Sequence, residues 1–393
     1  MPMIEDVEVS GKRVLLRADL NVTFKPGSTR IADDSRIHAS VATIELLRSR
    51  GARVVLCSHL GRPKGKVVPE MRIEPVRERM SEVLGVDVGY AGGPVGEEAE
   101  RVVESLNDSD VAMLENLRFD PGEEDNDADF SNSLASLADV FVNDAFGASH
   151  RAHASIVGVA DLLPTYAGLL MRAEIVALER AVDSAERPAV AILGGSKVAD
   201  KLGVVKNLAP NTDAVLIGGG MVSAMLAAQG KSVGSVDVSD DEMKAAKELL
   251  DDPIVVDKLH LPTDVIVAEE FSGDSRYIET SADSVPESGF ILDIGSQTIS
   301  NYVDAIGTAE KIVWNGPMGL FEWEAFSGGT QSIASAISDN ESAFKLAGGG
   351  STVEAINSLG IADAITHIST GGGASLEFLE GKTLPGIAAL HVI

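Results

Sequence analysis

The first half of the chain contains the stretch Arg53-Val54-Val55-Leu56-Cys57-Ser58-His59-Leu60-Gly61-Arg62-Pro63. It is a short apolar run, rich in β-branched residues, that ends in polar and turn-forming residues. Such a run predicts a strand buried on both faces, as in a parallel sheet. Similar runs recur along the chain, and the segments between them, such as Ser35–Ser49 and Asp240–Leu250, have helical periodicity. This alternation predicts an α/β protein whose parallel sheets are covered by helices.

The same pattern predicts the strands of two sheets. In the first half we expect Val14–Asp19, Arg53–Ser58, Val111–Leu114 and Val140–Asn143. In the second half we expect Val190–Leu193, Ala214–Ile217, Ile254–Val256, Phe290–Asp293, Lys311–Trp314 and Phe344–Ala347.

A length of 393 residues suits two domains better than one. We place the domains at residues 1–165 and 184–380, with a connecting segment, 166–183, between them. The proline-flanked stretch Tyr166–Val182 predicts one long helix in this connector. We expect the C-terminal residues, 381–393, to return to the first domain.

The composition restricts the possible partners and the compartment. A formal net charge of −28 argues against binding to nucleic acid or to anionic membranes. No run reaches the ~18 apolar residues of a membrane span, and the N-terminus lacks a basic and then apolar leader. Cys57 is the only cysteine, so no internal disulfide can form, and its apolar neighbours predict a buried structural thiol. We therefore expect a cytoplasmic protein, acting as a monomer.

The two kinds of cationic residue are distributed unevenly. Residues 1–151 contain 14 of the 18 arginines, whereas residues 184–393 contain 10 of the 14 lysines. Arginine presents a planar fork that suits carboxylate and phosphate, and lysine presents a compact point charge. Two different anion sites, one in each half, would explain this distribution. Drift in surface composition is the alternative.

Polar residues follow the predicted strands of the first half. In an open parallel sheet, ligands bind outside the carboxyl ends of the strands. These positions carry Arg17, Asp19, Asn21, His59, Arg62, Arg118, Asn143, His150, Arg151 and His153. Each alone could be a turn residue or a structural histidine, but together they predict one basic surface.

Glycines follow the predicted strands of the second half. The loops are Gly194-Gly195-Ser196-Lys197, Gly218-Gly219-Gly220, Asn315-Gly316-Pro317-Met318-Gly319 and Gly348-Gly349-Gly350-Ser351-Thr352, and a further triplet is Gly371-Gly372-Gly373. Glycine lets the backbone approach a ligand closely, and a following helix offers free N–H groups to phosphate. Lys197 and Lys201 are spaced to share one helix face. A single such loop is usually a tight turn, whereas several predict a nucleotide site. There is no GxxxxGK[ST] motif, which excludes a P-loop enzyme.

These motifs resemble those of the phosphoglycerate kinase family, and in the same order. The matching stretches are Val14-Leu15-Leu16-Arg17-Ala18-Asp19-Leu20-Asn21-Val22, Ser58–Pro63, Glu115–Phe119, Asn143–Gly147 through His153, Leu193–Lys201 and Val313–Glu322. The resemblance implies two Rossmann-like domains joined by a long helix and a hinge. It also implies 3-phosphoglycerate or 1,3-bisphosphoglycerate bound to the first domain, and ADP or ATP with Mg²⁺ bound to the second.

The resemblance also assigns roles to individual residues. Phosphoglycerate would be held by Asp19, Asn21, Arg36, His59, Arg62, Arg118 and Arg151, with His150 and His153 nearby. The nucleotide would be held by Lys197, Lys201, Gly219, Asn315, Pro317, Gly319, Glu322, Gly349, Gly350, Ser351 and Thr352. The transferring phosphoryl would be surrounded by Arg36, Lys197 and the amides of Gly372 and Gly373, and Gly371–Gly373 would also form part of a closing hinge.

Two features set this chain apart. Family members commonly have an Asp that helps to hold the nucleotide's metal where Ser351 stands here, so the metal ligands are unknown and we consider an archaeal source. The net charge divides into −10 over residues 1–165 and −18 over 166–393, which favours a halophilic source with a salt-rich cytoplasm. A merely acidic protein is the alternative.

Two rival functions make distinct demands. A dinucleotide-dependent oxidoreductase would need a GxGxxG after a strand, with an acidic residue about 20 positions later, and we find none. A two-domain ligand-binding protein would not need two different anion sites.

Overall fold

A computed structural model describes residues 1–391 of the chain. Within them the backbone forms two compact units. The first unit contains Met1–Val176 and the C-terminal residues from Thr383, and the second contains Ala177–Lys382. None of the helices in residues 1–391 is long and apolar enough to cross a membrane.

The first unit is built on a six-stranded parallel sheet. In spatial order its strands are Val88–Tyr90, Val111–Met113, Arg53–Cys57, Arg13–Arg17, Val140–Asn143 and Thr165–Ala167. The helices of this unit are Ser35–Ser49, Glu74–Leu84, Glu97–Glu104, Ala128–Ser136 and Pro385–Ala388, and a short hairpin pairs Thr23–Phe24 with Ile31–Asp33.

Alternate residues of these strands enter two separate apolar clusters, one on each face of the sheet. Val54 and Leu56 pack in the cluster that includes Ile37 of the helix Ser35–Ser49. Val55 and Cys57 pack in the cluster that includes Phe130. Burial on both faces explains the uninterrupted apolar run that predicted the strand. Cys57 is fully buried, as expected for a structural thiol, and burial raises the pKa of its thiol to about 12.

The second unit contains another six-stranded parallel sheet. Its strands, in spatial order, are Leu259–His260, Ala214–Ile217, Ala189–Leu193, Lys311–Asn315, Phe344–Ala347 and His367–Ile368. The helices are Leu202–Leu208, Met221–Ala228, Asp240–Leu250, Pro253–Lys258, Ser296–Gly307, Gly328–Asp339, Gly350–Leu359 and Gly373–Leu379. A separate antiparallel sheet orders Tyr277–Ser281, Asp264–Ala268 and Phe290–Ile294.

Two strand predictions need correction in this unit. Ile254–Val256 lies in the helix Pro253–Lys258, because the Asp252 side chain accepts hydrogen bonds from Ile254 N and Val255 N and Pro253 suits the first helical turn. Phe290–Asp293 is a strand, but it belongs to the antiparallel sheet rather than to the parallel one.

The predicted helix at Tyr166–Val182 begins three residues later, at Leu169. Tyr166 instead pairs with Val142 in the edge strand Thr165–Ala167. The helix starts where the buried Asp144 carboxylate accepts a hydrogen bond from Met171 N at 3.0 Å. The side chain that follows strand Val140–Asn143 therefore caps this helix, and a local sequence pattern does not show such a cap.

Candidate active site

Most of the basic residues that the sequence predicted lie at the carboxyl ends of four adjacent strands of the first unit, and Arg36 lies in the first turn of the helix Ser35–Ser49. We call them the basic patch: Arg17, Arg36, His59, Arg62, Arg118, His150, Arg151 and His153. Arg17, His59, Arg118 and His153 are buried, Arg36, His150 and Arg151 are half-buried, and Arg62 is exposed. The positive charge of the five arginines makes this end of the sheet attractive to anions.

His59 lies among the guanidinium groups of this patch. Arg17 Nη2 is 3.1 Å from His59 Nδ1. A guanidinium can only donate, so Nδ1 accepts and the ring proton lies on Nε2. Burial, followed by the charges of Arg17, Arg118, Arg36 and Arg151, lowers the pKa of His59 well below its ordinary value. His59 is therefore a neutral hydrogen-bond donor in a cationic site.

The residues after the first strand orient their neighbours in the patch. Arg36 Nη1 is 2.5 Å from Asp19 Oδ2, which fixes the direction of this guanidinium. Asn21 Oδ1 accepts from Gly61 N at 2.8 Å, and Arg118 Nη1 donates to Gly61 O at 2.7 Å. Asp19 and Asn21 thus act on the loop and the arginine rather than as isolated turn residues.

Two further arginines are held by close partners. Arg151 Nε donates to His150 Nε2 at 3.1 Å. Arg118 Nε lies 3.2 Å from Glu124 Oε1 as an ion pair, without a hydrogen bond between them. Burial lowers the pKa of Arg118, and the charge of Arg151 adds to this effect. An arginine remains protonated even so, and a bound anion would relieve the repulsion.

Two residues that support this patch, Ser155 and Glu123, are not among those that the sequence predicted. Arg17 Nε donates to Ser155 Oγ at 2.9 Å, and Ser155 Oγ donates to Glu123 Oε1 at 2.6 Å. Burial opposes ionisation of Glu123, but the nearby His153, the charge of Arg17 and the bonds from Ser155 outweigh it and lower the pKa. Arg17 was predicted from its place at a strand end. Glu123 lies in an acidic run that looks like solvated surface.

A cavity of about 690 Å³ lies in the second unit, where the glycine loops meet the antiparallel sheet. Of the predicted residues, it is lined by Gly219, Pro317, Gly319, Glu322 and Ser351. Its apolar walls come from residues that were not predicted to bind the nucleotide, among them Phe271, Phe290 and Leu320. Lys197 lines an adjoining cavity of about 310 Å³.

The glycines of these loops are required by close backbone approach. A Cβ at Gly194 would lie 2.0 Å from Pro317 O. Gly219 has φ +64°, and a Cβ there would lie 2.7 Å from Gly195 N. No other residue fits these positions without moving the backbone, so the loops keep a surface of main-chain groups beside the cavity.

Lys201 lies beside the cavity rather than in its lining. Its ammonium donates to Asn315 Oδ1, and Asn315 Nδ2 in turn donates to Gly348 O at 2.9 Å. Burial lowers the pKa of Lys201 to about 8, although Asp200 and Glu380 act in the opposite direction. The expectation of a shared helix face with Lys197 is wrong, because Lys197 lies in the loop before a short 3₁₀ turn at Ala199–Lys201.

The glycine loop after strand Phe344–Ala347 ends at Gly349, which caps the helix Gly350–Leu359. Gly349 has φ +95°, and the buried Thr352 Oγ1 accepts from Gly316 N at 2.7 Å, which joins two glycine loops. Ser351 is exposed in the first turn, where the resemblance expects an Asp. Within residues 1–391 no group of three or more His, Cys, Asp or Glu residues could hold a metal. The chain offers one hydroxyl at this point, which fits Mg²⁺ bound mainly by phosphate and water.

Gly372 and Gly373 begin another helix of the second unit, Gly373–Leu379. Gly372 has φ +53° and ψ −114°, a conformation that only glycine adopts readily. Neither residue lines the two cavities.

Asp293 lies directly behind the cavity. Its Oδ2 accepts from Gly329 N at 2.7 Å, and a Cβ at Gly319 would come within 2.2 Å of its Oδ1. The neighbouring Leu292 O accepts from Leu320 N at 2.8 Å. Burial raises the pKa of Asp293 to about 7, and the hydrogen bonds from Gly329 and Ile294 only partly offset this. Strand Phe290–Ile294 therefore supports the loop that carries Gly319.

A family model and several known proteins match nearly the whole chain. The phosphoglycerate kinase family model matches residues 4–382. Phosphoglycerate kinase of Herpetosiphon aurantiacus is 48% identical over 389 residues, which cover 99% of this chain and 98% of that protein. The same enzyme of Moorella thermoacetica is 48% identical over 388 residues, 98% of each chain.

Solved structures agree with this result. The structure of phosphoglycerate kinase from Coxiella burnetii has a TM-score of 0.90 at 37% identity, covering 99% of this chain and 98% of that chain. Phosphoglycerate kinase from Pyrococcus horikoshii has a TM-score of 0.85 at 36% identity, with the same coverage. The fold, the order of the motifs and these relatives lead to one conclusion: the chain belongs to the phosphoglycerate kinase family.

Proposed function

We propose that the basic patch binds 3-phosphoglycerate or 1,3-bisphosphoglycerate and that the glycine-lined cavity binds ADP or ATP. As a member of its family, the chain is a kinase that transfers a phosphoryl group between 1,3-bisphosphoglycerate and ADP, a reaction of glycolysis. The observation that carries the assignment is the group of four arginines around the neutral His59. Guanidinium forks match carboxylate and phosphate, the two anionic groups of phosphoglycerate.

The cavity of the second unit has the features that a nucleotide requires. Phe271, Phe290 and Leu320 offer an apolar surface for the base, and Glu322 can accept hydrogen bonds from sugar hydroxyls. Main-chain groups of the glycine loops, together with Lys197 and Lys201, would face the phosphates. Gly349, Gly350 and Thr352 would then support the phosphate end, next to Ser351.

Phosphoryl transfer requires alignment and charge neutralisation more than covalent chemistry. Arg36, Lys197 and the amides of Gly372 and Gly373 are proposed to neutralise charge during a direct in-line transfer. No general base is needed, because the attacking oxygen belongs to a carboxylate or to an ADP phosphate. Domain closure on a hinge that includes Gly371–Gly373 would exclude water before transfer.

Members of the family use a nucleotide substrate, typically with Mg²⁺, and Mg²⁺ is the metal that we propose here. Ser351 would be its nearest protein contact, directly or through water, and the nucleotide phosphates would supply the anionic ligands. Bound with the nucleotide, Mg²⁺ would neutralise negative charge on the phosphates. We further propose a cytoplasmic monomer in a salt-rich cell, and the archaeal source stays a prediction.

The role of Arg36 can be tested with a coupled assay containing ATP, Mg²⁺ and 3-phosphoglycerate. Arg36→Ala should lower kcat by about 10²-fold or more, the usual loss when one positioned electrostatic contact is removed. Arg101→Ala is a matched control, because Arg101 is exposed and its nearest carboxylate oxygen, on Glu98, is 3.9 Å away. A folded Arg36→Ala enzyme with near-normal kcat would overturn the assignment.

A further inference from the structure

A buried acid lies beneath the basic patch, and its contacts extend to the ring of His59. Glu123 is fully buried, and it accepts hydrogen bonds from Ser155 N at 3.0 Å and from Ser155 Oγ at 2.6 Å. His153 Nδ1 is 3.7 Å from the same carboxylate. A buried carboxylate is costly unless cations and donors compensate it, so its place under a group of arginines calls for a role.

A series of hydrogen bonds connects Glu123 with His59 through Ser155 and Arg17. Which atom donates and which accepts is determined at each step. Ser155 has a single hydroxyl proton, and an ionised Glu123 can only accept it. The oxygen of Ser155 must then accept from Arg17 Nε, which lies 2.9 Å away. The same guanidinium donates to Ala18 O at 2.5 Å and to His59 Nδ1 at 3.1 Å. Because Arg17 can only donate, Glu123 and Ser155 fix the position of its guanidinium, and that position places Nη2 against His59 Nδ1.

We propose that Glu123 is a positioning residue: through Ser155 and Arg17 it fixes His59 as the tautomer with its proton on Nε2. We call this series the Glu123–Ser155–Arg17 relay. Its consequence is that His59 presents an N–H, and not a lone pair, to an anionic ligand. The substrate part of this inference rests on the proposed function, in which His59 contacts phosphoglycerate, whereas the tautomer itself is a property of the free protein.

The alternative tautomer would oppose binding. A ring with its proton on Nδ1 would place two donors, Arg17 and His59, against each other, and it would turn a lone pair towards the ligand's oxygens. One lost hydrogen bond to a charged group commonly weakens binding by about tenfold. A carboxylate near an anion site is unfavourable, because it repels the ligand. Through the relay, Glu123 instead favours binding, because it helps to present the N–H of His59 to the ligand.

The tautomer can be read directly by nitrogen NMR of the ¹⁵N-histidine-labelled full chain, with the His59 signals assigned from a His59→Gln variant. In the unsubstituted protein, Nδ1 should show the shift of an unprotonated ring nitrogen and Nε2 that of a protonated one. Ser155→Ala should move both signals towards a mixture of tautomers, and Glu123→Gln is a second, more conservative interruption of the relay. Ser131→Ala is the matched control, because this buried hydroxyl donates to Asp127 O at 2.7 Å and has no contact with Arg17 or Glu123 among the described hydrogen bonds.

Binding provides the second readout. Ser155→Ala should weaken 3-phosphoglycerate binding about tenfold, while ADP affinity stays within about twofold. In a His59→Gln background, where the side-chain donor does not depend on a tautomer, Ser155→Ala should have a smaller effect.

An unchanged His59 tautomer in folded Ser155→Ala and Glu123→Gln proteins would overturn the relay, and lowered thermal stability without a tautomer shift would identify a purely structural role. A tautomer shift with unchanged 3-phosphoglycerate affinity would support the relay, and would instead overturn the placement of His59 at the substrate.

Discussion

Lys201 provides a quantitative test of the nucleotide site. With a pKa of about 8, its ammonium is charged in roughly 0.9 of molecules at pH 7, 0.5 at pH 8 and 0.1 at pH 9. If only the charged form binds the phosphates, the affinity for ADP should fall about tenfold between pH 7 and pH 9. Phosphate groups titrate near pH 6, so the ligand's own charge changes little in this range. At pH 8, each ADP bound should take up about half a proton.

The stability of the free protein should change in the opposite direction. Because folding lowers the pKa of Lys201 from 10.5 to about 8, the unfolded chain binds more protons between these values, and this lysine's contribution to stability rises with pH in that window. Titration calorimetry in buffers of different ionisation enthalpy measures both affinity and proton uptake. Lys201→Arg, which stays charged, is the control and should give a flat profile. A flat profile in the unsubstituted protein, or an equal slope in the Arg variant, would refute the reasoning.

Three further predictions concern other parts of the molecule. Gly319→Ala would place a Cβ 2.2 Å from Asp293 Oδ1. Such overpacking should weaken ADP binding by about tenfold without changing 3-phosphoglycerate affinity, and equal losses for both ligands would count against it. Ser351→Asp should tighten binding of Mg-ADP relative to metal-free ADP in calorimetric titrations, because a carboxylate is a better ligand than a hydroxyl. A direct contact between Mg²⁺ and another protein carboxylate in a Mg-ADP complex would contradict this prediction. The Tm should rise by several degrees as KCl goes from about 0.1 M to 2 M, with activity retained at the upper end, because screening relieves repulsion within a chain of net charge −28. A constant Tm, or loss of activity in molar KCl, would argue against a halophilic source.

Much of the fold was predictable because strands that are buried on both faces leave a strong local signal. Val140–Asn143 and Ala214–Ile217 have the predicted bounds, as does the helix Ser35–Ser49. Strand predictions were wrong or missing where the local sequence signals for strand and helix compete, or where the strand signal is weak. Ile254–Val256 is apolar enough for a strand, but the preceding Asp and Pro start a helix. Tyr277–Ser281 is largely exposed, so no apolar run indicates it.

The site was predictable to the extent that chemistry follows strand ends. His59 and Arg118 were found in this way, and the structure places them in one patch. Glu123 could not be found, because an acidic run predicts solvent exposure and burial of one member depends on partners far along the chain. Phe271 and Phe290 were missed because the apolar wall of a cavity depends on tertiary packing. Of the rival functions, the oxidoreductase and the binding protein are both excluded by membership of a kinase family.

The burial of Cys57 has a practical consequence for measuring motion. A thiol with no exposed surface and a pKa of about 12 reacts slowly with maleimides, which attack through the thiolate. Because this is the chain's single cysteine, surface cysteines introduced one per unit would be the only sites that take up dye. A donor and an acceptor fluorophore could therefore be attached without first removing a native residue. Single-molecule energy transfer would then follow the distance between the labels as 3-phosphoglycerate and nucleotide are added.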